Sequence, residues 1–229
     1  MKPVRSLLLS LAVLAASLLG VAASPAPPAQ ADPSTPVIFV HGFVENSTMW
    51  DTAKQSFQAS GYPASMLFAW NYDTVLTPNE TTAQNFGAYL DSVLQQTGAS
   101  QVDIVSHSMG SLSTRSCIKF GSCAGKVKNW VSLAGANRGT DIANLCFFLP
   151  PCQDMIPGSA FLQRLNAAPA LPAGVQWSTF WTSNDGIIVP ATNTVLDGAV
   201  NTQVSPALNH LNIFNDATVL DQVKAQLAD

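Results

Sequence analysis

The sequence predicts an α/β fold, with a central, mostly parallel six-stranded sheet and helices on both faces. Two observations predict it. Six short β-branched or aromatic runs are separated by longer stretches, several with helical periodicity. Three of those runs are apolar almost throughout, as expected of strands covered on both faces. Strands that alternate with helices form right-handed βαβ units, and these build parallel sheets.

The elements follow in order. PVIFV (36–40) is the first strand, and residues 47–59, weakly periodic but bracketed by strands, form the first helix. ASMLFAW (64–70) is the second strand. The helix over 80–96 carries Ala83, Phe86, Leu90, Val93 and Leu94 at i, i+3, i+4 spacing, with Gly98 just past its end. QVDIVS (101–106) is the third strand, and residues 109–119 form the helix after it. NWVSLAG (129–135), VQWSTFWT (175–182) and NTQVS (201–205) complete the sheet. The last helix, 216–227, aligns Val219, Leu220, Val223 and Leu227 behind Asn215 or Asp216 as N-cap.

Before the first strand lies a segment that reads as a leader. Met1 to Arg5 is basic, Ser6 to Ser24 carries no charge, and Ala29-Gln30-Ala31 is an A-x-A site. A signal peptide over 1–31 is expected, leaving Asp32 as the first mature residue and 32–229 as one domain. Val21-Ala22-Ala23 is a second cleavage site, and an uncleaved anchor is the alternative. No cysteine precedes Cys117, which argues against a lipid-modified anchor. The expected location is extracellular.

The 10 Lys+Arg and 14 Asp+Glu of the whole chain become a net charge of about −6 once Lys2 and Arg5 leave with the leader. That balance, without a basic run, argues against nucleic-acid binding. The four cysteines all follow the leader. Cys117–Cys123 and Cys146–Cys152 are the preferred pairs among three connectivities, each with five residues between. A metal site is disfavoured, because no C-x2-C spacing occurs and no histidine lies near.

The chemistry is concentrated in V-D-I-V-S-H-S-M-G-S (102–111). Ser108 follows a strand and precedes a helix, the setting of a nucleophile elbow, although Ser106 stands where G-x-S-x-G has its first glycine. A serine nucleophile needs a base and an orienting acid. Of the three histidines, His107 is expected to point away from Ser108, and His41 ends the first strand. His210, after the last strand, remains as the base. Asp141, Asp154, Asp185 and Asp197 lie between Ser108 and His210 in the chain. Asp185 follows a strong strand and is preferred, with Asp197 second. The oxyanion donors are expected to be the backbone N–H groups of Met109 and, after H-G-F-V, of Phe43.

These motifs together resemble a known family. V-I-F-V-H-G-F, D-I-V-S-H-S-M-G, L-A-G-A-N-R-G-T, S-N-D-G-I-I-V-P and V-L-D-G-A-V-N-T-Q-V are similar to the small secreted bacterial lipases called class 2, of the α/β-hydrolase superfamily. The resemblance covers nearly the whole mature chain. It implies a minimal α/β-hydrolase fold with little or no lid and hydrolysis of carboxylic esters, acylglycerols included. It also implies nucleophile, acid and base at Ser108, Asp185 and His210, with oxyanion donors at Phe43 and Met109.

The segment 141–157 is longer and more apolar than a minimal member needs. It reads as an acyl-chain wall, a lipid contact, or a loop packed under a disulfide. Ile187 and Ile188 are further pocket candidates, whereas the side chains of Trp50, Trp70 and Phe43, aromatics near strand ends, read as core. The expected partner is an ester or lipid substrate, with peripheral contact to lipid surfaces, no cofactor and a monomeric state. Two other readings compete: the same triad acting on a polyester such as cutin, a thioester or an amide, or a non-catalytic lipid-binding protein on the same fold.

Overall fold

The computed structural model describes residues 35–228, and the leader predicted over 1–31 lies outside them. Six strands form one sheet: β1 (Val37–Val40), β2 (Leu67–Trp70), β3 (Val102–His107), β4 (Val127–Leu133), β5 (Gln176–Trp181) and β6 (Val200–Gln203). Their order is β2-β1-β3-β4-β5-β6, and every neighbouring pair is parallel. This is the α/β class expected, with a wholly rather than mostly parallel sheet.

Side chains alternate between the faces as the pleat requires. Val37 and Phe39 join Val105, Val131 and Leu133 on one face. Ile38 and Val40 join Ile104 and Trp130 on the other. The first face is covered by α1 (Asp51–Ala59) and α6 (Ala217–Ala228), through Phe57, Val219, Leu220 and Val223. The second is covered by α2 (Asn79–Thr97) and α3 (Gly110–Phe120), through Phe86, Leu90 and Ile118.

The helix ends have local causes. Gly98 takes φ 71° and donates to Leu94 O, which closes α2. Asp216 Oδ1 accepts from Val219 N at 3.0 Å, which caps α6 and decides between the two candidate caps. The N-terminus of α2 lacks a cap of its own, and Asp154 supplies one by accepting from Asn79 N at 2.8 Å.

Several boundaries differ from the sequence reading. β4 ends at Leu133, not Gly135, because Ala134 turns the chain with φ 48°. Residues 64–66 form a 3-10 turn ahead of β2, and another, Ser47–Trp50, precedes α1. Two short helices were not anticipated: α4 (Pro150–Met155) and α5 (Ala160–Asn166). Each is too short to show a helical repeat. Their apolar side chains form a third cluster with Met109, Leu112 and Ile188, seated over the carboxyl ends of the strands. Cys117–Cys123 and Cys146–Cys152 are both bonded, the pairing expected from their spacing.

Candidate active site

In a parallel sheet all carboxyl ends lie at one edge, and ligands gather there. The register brings Val40 beside Trp70 and Ser106, and Leu133 beside His107 and Phe180. The loops after β1, β3, β5 and β6 therefore open side by side. They carry Phe43, Ser108, Asp185 and His210.

Ser108 stands between β3 and α3 with φ 53°, in the left-handed region that side chains other than glycine rarely enter. Three hydrogen bonds hold it there. Ser108 N donates to Leu133 O at 3.1 Å, and Ser108 O accepts from Ser111 N at 3.2 Å and Ala136 N at 3.3 Å. Behind the elbow, α3 crosses β1 at close range. A Cβ on Gly110 would lie 2.4 Å from His41 O and 2.9 Å from Val40 O, both rigid backbone. Gly110→Ala is thus expected to destabilise the fold by about 1–3 kcal/mol, as overpacking does, and to lower activity as the elbow shifts. Urea unfolding followed by tryptophan fluorescence checks it.

Ser106, where the elbow pattern has glycine, makes bonds that glycine could not. Its Oγ donates to Val131 O at 3.0 Å and lies 3.0 Å from Ser111 Oγ. Ser111 Oγ lies 2.9 Å from Ser132 Oγ, which accepts from Asn137 Nδ2 at 3.2 Å. This buried hydroxyl chain ties β3, α3 and β4 together beneath Ser108, so the serine is a satisfied part of the elbow.

Ser108 Oγ lies 3.0 Å from His210 Nε2. His210 Nδ1 faces the Asp185 carboxylate, 2.9 Å from Oδ1 and 3.1 Å from Oδ2. Asp185 Oδ1 also accepts from Ile187 N at 3.1 Å and Ile188 N at 2.6 Å, which fixes the carboxylate. His210 N donates to Asp185 O at 3.1 Å, so backbone and side chains join the same two loops. Asp197 is elsewhere: it pairs with Arg138 at 3.0 Å, its side chain 93% exposed. Asp154 is the cap of α2 described above, and Asp141 opens an exposed 3-10 turn.

His210 is 4% exposed. Burial depresses its pKa below the ordinary histidine value, a shift that the hydrogen bond to Asp185 opposes but does not cancel. In the role of base expected from the sequence, its ring must be neutral to accept a proton. The acid limb of kcat/KM on a soluble ester is therefore expected below pH 6.5, with activity lost only as pH falls through the depressed pKa. A limb at or above the ordinary value would contradict it.

The loop after β1 is held from several sides. Tyr72 Oη donates to His41 O at 2.6 Å, and the His41 ring stacks on Tyr72 with centroids 4.4 Å apart. Gly42 N donates to Glu45 Oε2 at 2.7 Å, and Val44 N to Thr74 Oγ1 at 3.0 Å. Among the described residues, the N–H of Phe43 between them has no protein acceptor, and neither has the N–H of Met109. Val44 takes φ 52°, a strained conformation for a β-branched residue. A Cβ on Gly42 would lie 2.8 Å from Ser108 Cβ, so only glycine lets this loop pass so near Ser108.

Two contacts here were not anticipated. Glu45 was not singled out from the sequence, and its Oε2 lies 3.0 Å from His107 Nδ1. His107 does turn away from Ser108, but its Nε2 donates to His210 O at 3.0 Å. Burial pushes the Glu45 carboxyl up, yet its bonds to His107 and Gly42 N and the His107 charge outweigh this and hold it below the usual range. The pairing spans 62 residues of chain, and only the folded loop reveals it.

A largely apolar cavity of about 320 Å³ opens onto Ser108 and His210. Phe43, Ile142, Leu145, Met155, Ile187 and Ile188 are among its walls. The 141–157 segment thus contributes to the cavity through Ile142, Ala143, Leu145, Cys146 and Met155. Phe147 and Phe148 point outward at 62% and 67% exposure. Trp50 and Trp70 lie in the core, as expected, but the Phe43 side chain does not: the loop after β1 carries it into the cavity wall.

The family model described as Lipase (class 2) matches residues 34–227. The chain belongs to the class 2 lipase family. It is an α/β-hydrolase of lipase or carboxylesterase type. Solved structures share the fold of this class 2 lipase at low identity. The mature form of Bacillus licheniformis lipase BlEst2 superposes with a TM-score of 0.69 at 18% identity, over 88% of this chain and 93% of that one. Its propeptide form gives 0.71 at 17%, over 88% and 52%. Aspergillus fumigatus lipase B gives 0.66 at 15%, over 89% and 59%.

Proposed function

We propose that this class 2 lipase is a secreted serine carboxylester hydrolase that cleaves acyl esters, acylglycerols among them, through an acyl-enzyme. The observation that carries the reading is the unbroken chain from Ser108 Oγ through the His210 ring to Asp185, at the floor of an apolar cavity. Ser108 Oγ attacks the ester carbonyl carbon while His210 Nε2 takes its proton. Asp185 holds Nδ1–H and stabilises the imidazolium. The oxyanion receives hydrogen bonds from the N–H groups of Phe43 and Met109. His210 returns the proton to the leaving alcohol as the C–O bond breaks. Water, activated by the same histidine, then splits the acyl-enzyme and regenerates Ser108.

The test is labelling with an organophosphonate, read by intact and peptide mass spectrometry. A single adduct on Ser108 is expected. A folded protein that takes no label would instead favour a non-catalytic lipid-binding role.

Secretion is supported by the predicted leader and by two disulfides, which persist in oxidising compartments. Among the described residues, no helix is long and apolar enough to cross a membrane. Contact with lipid surfaces is supported at the cavity. Val44, Leu145 and Leu211 line it yet are 70%, 78% and 67% exposed, and Phe147 and Phe148, which follow the lining residue Cys146 in the chain, are exposed as well. The double variant Phe147→Ser, Phe148→Ser is expected to lose adsorption to a triolein emulsion, and about tenfold of its emulsion activity. Hydrolysis of a soluble short-chain ester should stay within twofold of the parent. Equal adsorption by the two proteins would remove these rings from the lipid contact.

A further inference from the structure

We propose that Glu45 and His107 are positioning residues, a hydrogen-bonded strap that holds the loop bearing the Phe43 N–H and the loop bearing His210 in fixed relation to Ser108. The proposal rests on the hydrolytic reading above and adds two side chains that this mechanism does not use.

The geometry carries it. Glu45 Oε2 is a shared acceptor, 2.7 Å from Gly42 N and 3.0 Å from His107 Nδ1. On the far side of the ring, His107 Nε2 donates to His210 O at 3.0 Å. The ring thus bridges the Glu45 carboxyl at Nδ1 and the His210 carbonyl at Nε2. The chain of contacts therefore runs from the Gly42 amide, through a carboxylate and an imidazole, to the backbone of the base. The His107 ring is fully buried and lies against the rings of His210 and Phe214, with centroids 4.6 Å and 4.9 Å apart. It cannot swing away without unpacking the core. His107 is also the chain neighbour of Ser108, so nucleophile, base and oxyanion loop are all referred to one ring.

The consequence falls on Phe43. With Gly42 N held by Glu45 and Val44 N held by Thr74, the peptide N–H between them has little freedom to turn. A donor fixed before the reaction stabilises the developing oxyanion without reorganising. Such an interaction is made in the transition state more than in the bound ester, so its loss lowers kcat and leaves KM.

The experiment uses Glu45, because its side chain reaches the surface at 21% exposure, whereas His107 is enclosed. Wild type, Glu45→Ala and Glu45→Gln are each titrated with a chromogenic organophosphonate to count competent sites. kcat and KM for a soluble p-nitrophenyl ester are then expressed per titrated site. Glu45→Ala is expected to lower kcat per site by roughly 10–100-fold, with KM within twofold, and to slow phosphonylation of Ser108 by a similar factor. That range lies below the 10²–10³ typical of removing an oxyanion donor outright. Glu45→Gln keeps an oxygen acceptor for Gly42 N but loses the charge facing His107, so it should recover part of the rate.

A purely structural role would lower the melting temperature and the titratable fraction while leaving kcat per site unchanged, and that result overturns the proposal. A loss confined to KM also overturns it, by making Glu45 a substrate contact. Failure of wild type to label at Ser108 is a separate outcome. It removes the hydrolytic reading, and this proposal with it.

Discussion

Ser108→Ala is expected to lower kcat/KM for a soluble ester by about 10⁴-fold or more while the protein stays folded. The hydroxyl is the only group that changes, and it is the atom 3.0 Å from His210 Nε2. Serine knock-outs in enzymes of the proposed mechanism reach about 10⁶ in kcat, with a residue left to the oxyanion hole and binding. Retention of more than a few per cent of esterase activity would show that Ser108 is not the nucleophile. A companion variant separates chemistry from strain. Ser108→Gly lacks the same hydroxyl but accepts φ 53° without steric cost. It should be as inactive as the alanine variant yet more stable by about 1 kcal/mol, read by urea denaturation. Equal stability would mean that the elbow holds no backbone strain.

The second large effect is expected from Asp185→Asn. The asparagine oxygen can still accept from Ile187 N and Ile188 N, so the loop should keep its shape. Its amide nitrogen then faces His210 Nδ1, where a carboxylate oxygen stood at 3.1 Å. An N–H donor at that place draws Nδ1 into the acceptor role and puts the ring proton on Nε2. A protonated Nε2 cannot take the proton of Ser108. The expected loss is about 10⁴ in kcat, as for the matching change in a studied triad, with KM little altered. Circular dichroism and stopped-flow labelling by organophosphonate would check it. Activity within tenfold of wild type would remove Asp185 from the orienting role, since Asp197 lies on the surface with Arg138.

The parts of this molecule that follow from short-range pattern were legible in the chain. Period-two and continuous apolar runs located all six strands, because side-chain alternation is a property of the strand itself. The stripe through Phe86, Leu90 and Val93, with Gly98 behind it, located α2 to within a residue at each end. Chain order and strand ends then bring Ser108, Asp185 and His210 to one sheet edge, where the structure has them in hydrogen-bond contact. What the chain did not reveal depends on contacts between distant segments. α4 and α5 are six and seven residues long and are held by the third apolar cluster rather than by periodicity. β4 stops early because Ala134 must turn toward the elbow. Glu45 looks like any loop acid until the fold places it against His107.

The two cystines are local, each joining residues six apart in the chain, one at the end of α3 and one across the start of α4. Parallel sheets assemble slowly, because every neighbouring pair is separated by a long crossover. A cross-link between distant strands would have to wait for that assembly or risk trapping a wrong partner. Here each thiol can find its mate six residues along the chain, before or after the sheet closes. Oxidation is thereby uncoupled from the slow step of folding, and the native pairing should form without an isomerase to reshuffle it.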